Sequence, residues 1–239
     1  MVGELTDMGY HINLWEHCFT HPTSPIYAKL EGKHGDFEVW GGVVPDLSLP
    51  EVRKTFADHH KQNVMFDTID GFKLDECDGS DYISSSWSFP LCSEFPGGMD
   101  GQQYHSMLGT LYMKTMLEAL DGKPTLSSVR SAGALCSSYP FVLYSDLYDH
   151  KDFIRGLATA GFSGILWTPE LRDAKSREEL IRRMQTIVFS PQCLINGWYC
   201  EKLPWLDHDC EDEIRELMEE RVKLIPKLMQ AFQTYHDTG

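Results

Sequence analysis

No stretch of this 239-residue chain stays apolar for the length a membrane helix needs. Residues 1–8 have neither the basic start nor the hydrophobic centre of a secretory leader. Neither membrane insertion nor export is therefore expected, and cytoplasm is the expected compartment, although a leader on a longer parent chain would lie outside this sequence. Positive charge is scarce: 21 Lys and Arg stand against 36 Asp and Glu, a formal charge of -15. With no basic patch to neutralise phosphates, nucleic acid and anionic membranes are excluded as partners, and a neutral substrate is easier to accommodate. Paired cysteines are lacking too. Seven Cys, at 18, 77, 92, 136, 193, 200 and 210, include no CxxC, and an odd count fits reduced thiols better than a disulfide framework. There is no internal repeat, and the one low-complexity patch is Ser84-Ser85-Ser86.

What is present is enough for one substantial core, since 42% of residues are hydrophobic and 12% aromatic. Six short apolar runs read as strands: 10–15, 69–74, 126–130, 141–145, 164–167 and 193–198. Helical patterns cover 50–63, 105–120, 150–160, 176–188 and about 211–235. Pro50 suits a first turn, and Ser176 with Glu179 reads as a capping box. Strands alternating with helices predict an α/β protein built of parallel βα units. Two long segments, 20–49 and 79–101, follow strand ends and read as loops that serve a site.

The most informative stretch is GFKLDECD, residues 71–78, where a buried strand surfaces into Asp75, Glu76 and Asp78. Lys73 and Asp75 are two residues apart, so they project to one side, where the ammonium can hold the carboxylate ionised. A second group, Asp146 and Asp149, follows the run 141–145, about two strands further on. Carboxylates at the ends of different strands can face each other across a pocket. Glycoside hydrolysis needs such a pair, one to attack or activate water and one to protonate the leaving oxygen. A solvated acidic loop is the plain alternative.

The order of motifs resembles glycoside hydrolase family 31, the retaining α-glycosidases that include α-glucosidases and α-xylosidases. INLWEHCFTHPTSPIYAKL (12–30) looks like the third barrel strand and its loop, and PDLSLPEVRKTFADHHK (45–61) like the approach to the nucleophile strand. GFKLDECD looks like the fourth strand, VRSAG (129–133) like the Arg-Ser strand, and YPFVLYSDLYDHKDFIRGLATAGFSGILW (139–167) like the acid/base strand and its successor. REELIRRMQTIVFSP (177–191) looks like the helix before the last strand, and 213–239 like the helix that leaves the barrel.

The resemblance implies a (β/α)8 TIM barrel with Asp75 as nucleophile and Asp146 as acid/base, acting on an oligosaccharide or other α-glycoside. It implies that Lys73 and Arg130 hold Asp75 ionised and contact sugar hydroxyls, with ordinary ion pairing as the alternative. Trp15 and Trp167 are expected to stack on a sugar, or else to be core residues. Glu16, Glu170 and Asn196 are expected to bind hydroxyls, or else to cap structure. Around the sugar pocket the chain departs from the family pattern: WTPELRD (167–173) replaces an Asp-Ile-Gly-Gly-Phe run, and Asn196 stands where a His is common.

No cofactor is expected, and no metal: His17 and His21 are four apart but in a Pro-flanked loop, and the register starting at Asp75 misplaces the glycine of a calcium loop. The whole of 1–239 is expected to be an incomplete catalytic barrel, corresponding to strands three to eight. Its edges then invite self-association or the missing barrel segments. Two rival readings remain: a non-catalytic remnant that binds carbohydrate or serves assembly in a split glycosidase, and a metal-dependent hydrolase using His17, His21 and Asp75.

Overall fold

Each parallel strand of this protein is short, because only a few apolar residues separate one helix from the next loop. The computed structural model describes residues 1–65, 67–78, 88–130, 133–198 and 200–238. The chain divides into two compact units, Met1–Phe141 and Val142–Gly239. The serine tract, the turn at Gly79-Ser80-Asp81, and Ser131 and Ala132 of the Arg-Ser motif lie outside the described residues.

The first unit runs α1 (Val2–Asp7), β1 (Ile12–Glu16), β2 (His34–Val39), β3 (Gly42–Pro45), α2 (Pro50–Asn63), β4 (Ile69–Leu74), α3 (Gly101–Leu120) and β5 (Ser128–Arg130). Strands β1, β4 and β5 lie parallel in that order. Lys73 is level with Trp15 and Ser128, and Leu74 with Glu16 and Val129. Side chains alternate along a strand, so Trp15, Lys73 and Ser128 share one face, while Glu16, Leu74 and Val129 share the other. The second face meets the helices. Phe72, Leu74 and Val129 are fully buried there, and the His60 ring of α2 packs edge-on against Phe72, with centroids 5.8 Å apart.

Helix α2 spans the expected residues, with Pro50 in its first turn and Val52, Phe56, Ala57 and His60 buried along one stripe. Helix α3 starts four residues earlier than expected. Asp100 caps it, accepting from the Gln103 backbone N–H at 2.8 Å, while the Gln103 side chain accepts from the Asp100 N–H at 3.3 Å. The segment read as a loop over 20–49 contains the antiparallel pair β2 and β3, in which Val39 faces Gly42. Only Trp40 and Gly41 join them, both with positive φ (52° and 72°), the geometry that matches the twist of a two-residue hairpin. Tyr104 of α3 anchors the far end, donating to the Pro45 carbonyl at 2.5 Å and accepting from the Leu47 N–H at 2.8 Å.

The second unit runs β6 (Val142–Tyr144), α4 (His150–Phe162), β7 (Trp167–Thr168), β8 (Glu170–Leu171), α5 (Arg177–Ile187), β9 (Leu194–Ile195), α6 (Pro204–Asp207) and α7 (Glu211–Thr238). Strands β6 and β7 pair in parallel, as do β8 and β9. Pro169, which has no N–H for a ladder, separates β7 from β8. The core gathers Phe153, Leu171, Leu180, Met184, Ile187 and Ile214. Arg221 of α7 donates to the carbonyls of Val188, Ser190 and Pro191, which lie just past the end of α5. The capping box expected at Ser176 is half formed. Its Oγ accepts from the Glu179 N–H, but the Glu179 carboxylate turns to the Lys175 N–H and to Arg183 instead.

The fold is thus α/β, with parallel strands and helices and no closed barrel among the described residues of either unit. All seven cysteines are free thiols. No helix among the described residues is long and apolar enough to cross a membrane.

Candidate active site

The ladder between β1 and β4 extends one residue past β4, because the Asp75 N–H donates to the Glu16 carbonyl at 2.9 Å. Asp75 therefore leaves the sheet on the face of Trp15 and Lys73, at the carboxyl ends of the strands. The residue is 8% exposed. Oδ2 accepts from Trp15 Nε1 at 2.6 Å, and Oδ1 accepts from Arg130 Nη1 at 2.9 Å and from the Glu76 N–H at 2.8 Å. Three donors, one of them cationic, fix this carboxylate in a single orientation. Lys73, two residues earlier on the same face, is half-buried.

Arg130 also meets Glu76 Oε2 through Nη2 at 2.9 Å and Asp78 Oδ1 through Nε at 2.6 Å. Burial works against its charge, but Asp78, Asp75 and Glu76 outweigh burial and hold the guanidinium protonated. Glu76 is pushed up to about 7, chiefly by burial and then by the neighbouring carboxylates, with Arg130 pulling the other way. The sequence placed Glu76 in the carboxylate cluster but gave it no role of its own, and regular strand alternation would send it away from Asp75. Its φ of 61° breaks that alternation.

An aromatic wall stands beside Asp75. The Trp15 ring, 53% exposed, meets His17 edge-on at 5.4 Å, and His17 lies 5.1 Å from Phe19 and 4.8 Å from Trp40 at the hairpin tip. Burial lowers the His17 imidazole below its ordinary value, against the charges of Glu16 and Asp75, so it is neutral. Its Nδ1 is buried and has no hydrogen-bond partner among the described residues. His21 is turned to Thr23, 2.9 Å from its Oγ1. Trp40 and Phe19 were not singled out from the sequence. The signal was the Trp-Gly-Gly at 40–42, which marks a tight turn between two extended runs.

Glu16 is not brought to Asp75. It lies on the helix-facing side of β1, where Oε2 pairs with His60 Nε2 at 2.8 Å and Oε1 accepts from the Tyr112 hydroxyl at 2.7 Å. The two-residue strand period separates it from Trp15.

In the second unit Asp146 is exposed, two residues beyond β6. Asp149, its rival on sequence, is the N-cap of α4 and accepts from the Lys151 and Asp152 N–H groups at 2.9 and 3.3 Å. A capping carboxylate is committed to the helix. Between them Tyr148 lies beneath the Arg172 guanidinium, 4.9 Å from ring centroid to carbon. Burial and then the charge of Asp146 push its phenol up to about 12. Glu170, fully buried on β8, accepts from the Asn196 side-chain amide just past β9, and Asn196 Oδ1 accepts from the Trp198 N–H at 2.9 Å. The structure thus joins these two expected hydroxyl binders. Trp167 is 7% exposed and packs its ring against Gly156 of α4, where an added Cβ would come within 2.7 Å of it. Its place is in the core rather than on an open wall, and its Nε1 donates to Ser145 Oγ at 3.0 Å.

Residues 1–231 match the family model described as the glycosyl hydrolases family 31 TIM-barrel domain. An α-xylosidase of Emericella nidulans is 24% identical over 263 residues, covering 100% of this chain and 33% of the relative. Among solved structures, the catalytic subunit complex of ER glucosidase II superposes with a TM-score of 0.81 at 17% identity, over 98% of this chain and 29% of that one. The cycloalternan-degrading enzyme of Trueperella pyogenes, in complex with a covalent intermediate, gives 0.77 at 19% identity, over 98% and 37%. The chain therefore carries part of a TIM-barrel fold and spans about a third of the length of the curated relative it matches.

Proposed function

Because the chain belongs to glycoside hydrolase family 31, we propose that residues 1–239 form part of one catalytic barrel that cleaves terminal α-glycosidic bonds with retention. Its substrate class is carbohydrate. Asp75 attacks the anomeric carbon and forms a β-linked glycosyl intermediate, while Asp146 protonates the leaving oxygen. Asp146 then takes the proton of an incoming water, whose attack releases Asp75, and two inversions restore the α configuration. The observation that carries this reading is the seat of Asp75. An oriented carboxylate at a strand's carboxyl end, held by Trp15, Arg130 and the Glu76 N–H, suits a nucleophile that must be fixed before it attacks. Asp146 is preferred over Asp149 because the latter caps α4. Lys73 and Arg130 are the cations of the site, Trp15 is a stacking surface, and Glu170 with Asn196 offers a polar pair for hydroxyls in the second unit.

Incubation with 5-fluoro-α-glucosyl and 5-fluoro-α-xylosyl fluorides, followed by peptide mass spectrometry, tests the assignment. A glycosyl adduct is expected on the peptide containing Asp75 and is absent from Asp75→Asn. An adduct on Asp146 would reverse the two roles. No adduct on a cooperatively folded chain would favour the other reading, a non-catalytic carbohydrate-binding or assembly module.

A further inference from the structure

We propose that Glu76 is a positioning residue whose carboxyl competes with Asp75 for the Arg130 guanidinium and so sets how much of that charge reaches the nucleophile. The proposal rests on the reading of Asp75 as nucleophile, but its physical content, the coupling of two carboxylates through one cation, stands on geometry. In an extended strand, residues 75 and 76 point to opposite faces. Here Glu76 takes φ 61°, the left-handed region, which is strained for a residue with a Cβ. That turn brings both carboxylates to the same guanidinium, each at 2.9 Å and each on a different nitrogen. The Glu76 N–H, meanwhile, donates to the Asp75 carboxylate at 2.8 Å. One residue thus touches the nucleophile through its backbone and shares its counter-ion through its side chain.

The surroundings single out Glu76 as the group that changes charge near neutral pH. From its own segment it faces Asp75 and Asp78, and from β5 Arg130. Around the same cluster, His17 senses the charge of Asp75, Cys18 lies near Cys77, and His105 Nε2 of α3 lies 2.7 Å from the Asp78 carbonyl. Burial holds both thiols protonated and both imidazoles neutral. Arg130 stays charged throughout. Burial pushes Glu76 up to about 7, so its ionisation falls near neutral pH. When it is protonated, Arg130 favours Asp75 and Asp78. When it ionises, it draws on Nη2 and adds a like charge beside Asp75. That raises the basicity of the attacking carboxylate and makes it a poorer leaving group from the glycosyl intermediate.

Carboxyl-carbon NMR of the 239-residue chain, labelled with 13C at Asp Cγ and Glu Cδ, reads this coupling without requiring turnover. The Glu76 signal is expected to titrate with a midpoint near pH 7, and the Asp75 signal to show an inflection at the same midpoint. Glu76→Gln should remove that inflection from Asp75. Glu76→Asp, one methylene shorter, should keep an inflection but move its midpoint, which covers the case in which the Gln variant folds poorly. An Asp75 signal that is flat near pH 7, or that keeps its inflection in Glu76→Gln, would overturn the proposal. Coupling that is present in a chain left unlabelled by the fluoroglycosides would instead count against Asp75 as nucleophile and leave the shared guanidinium standing.

Discussion

The indole of Trp15 offers an open ring face while its Nε1 donates to Asp75 Oδ2 at 2.6 Å. Those two roles are separable. Trp15→Phe keeps an aromatic surface and deletes the donor, and a hydrogen bond to a charged group is worth roughly 1.5–3 kcal/mol. If the bond orients the nucleophile, labelling of Asp75 by a 5-fluoroglycosyl fluoride should slow by about 10- to 100-fold. The thermal unfolding midpoint should fall as well, because the buried Asp75 Oδ2 is left without its donor. An unchanged labelling rate would reduce Trp15 to a wall. The neighbouring residue shows what adjacency in sequence hides. Glu16 stands beside Trp15 and was expected at the sugar, yet the period of the strand turns it towards α2 and α3. Asp75, by contrast, was legible because a Lys-x-Asp run leaving a buried strand carries its own face with it. Glu76 was legible as a member of the cluster but not in its role, since no sequence rule announces a left-handed glutamate.

At the scale of elements, Glu16 ties β1 to two helices, and the tie is pH-dependent. Burial of His60 works against its protonation, but the hydrogen bond and charge of Glu16, with the Phe56 carbonyl, outweigh it and raise the imidazole above 6.5. A raised histidine contributes stability that is fully present below its unfolded value and is lost as pH rises through the folded one. Glu16→Gln should therefore destabilise the chain most below pH 6.5, by about 3 kcal/mol, with the gap to wild type narrowing towards pH 9. Urea unfolding across that range measures it, and a gap independent of pH would mean that the pair is not charged. The start of α3 gives a simpler case: Asp100→Ala removes a reciprocal cap and should cost about 1 kcal/mol. That cap was written in the sequence as Asp-x-x-Gln. It was missed because the apolar periodicity becomes clear only from His105, whereas Pro50 announced α2 to the residue. The hairpin of β2 and β3 was hidden for another reason. Its strands hold His34, Gly35, Asp36 and Glu38 with little alternation, and long-range ties to Thr20 and Tyr104 help hold it in place.

At the scale of the whole molecule, the chain matches a barrel family over residues 1–231 but only a third of a curated relative. The order of motifs was legible because each strand-end block carries its own chemistry. The absolute boundaries of β7 and β9 were not, because two-residue strands leave little periodic signal. The 239-residue chain on its own is expected to associate. In the first unit β1 is the outermost of its parallel strands, with Ile12 and Leu14 only half covered and Tyr10 57% exposed nearby. In the second unit Leu194 and Ile195 are half covered, and Phe162 and Trp198 are 96% and 84% exposed. Unpaired strand edges flanked by apolar side chains recruit other chains. Opposing this, a formal charge of -15 makes copies repel one another. Salt screens that repulsion, with a Debye length that falls from about 30 Å at 0.01 M to about 8 Å at 0.15 M, and leaves the apolar attraction in place. Sedimentation velocity should therefore show a mostly monomeric chain in dilute buffer and larger, concentration-dependent species as salt is raised. A single monomeric boundary at every ionic strength, with one cooperative thermal transition, would mean that these edges are covered from within the chain. Association that weakens with salt would mean that charge pairs rather than strand edges hold the copies together.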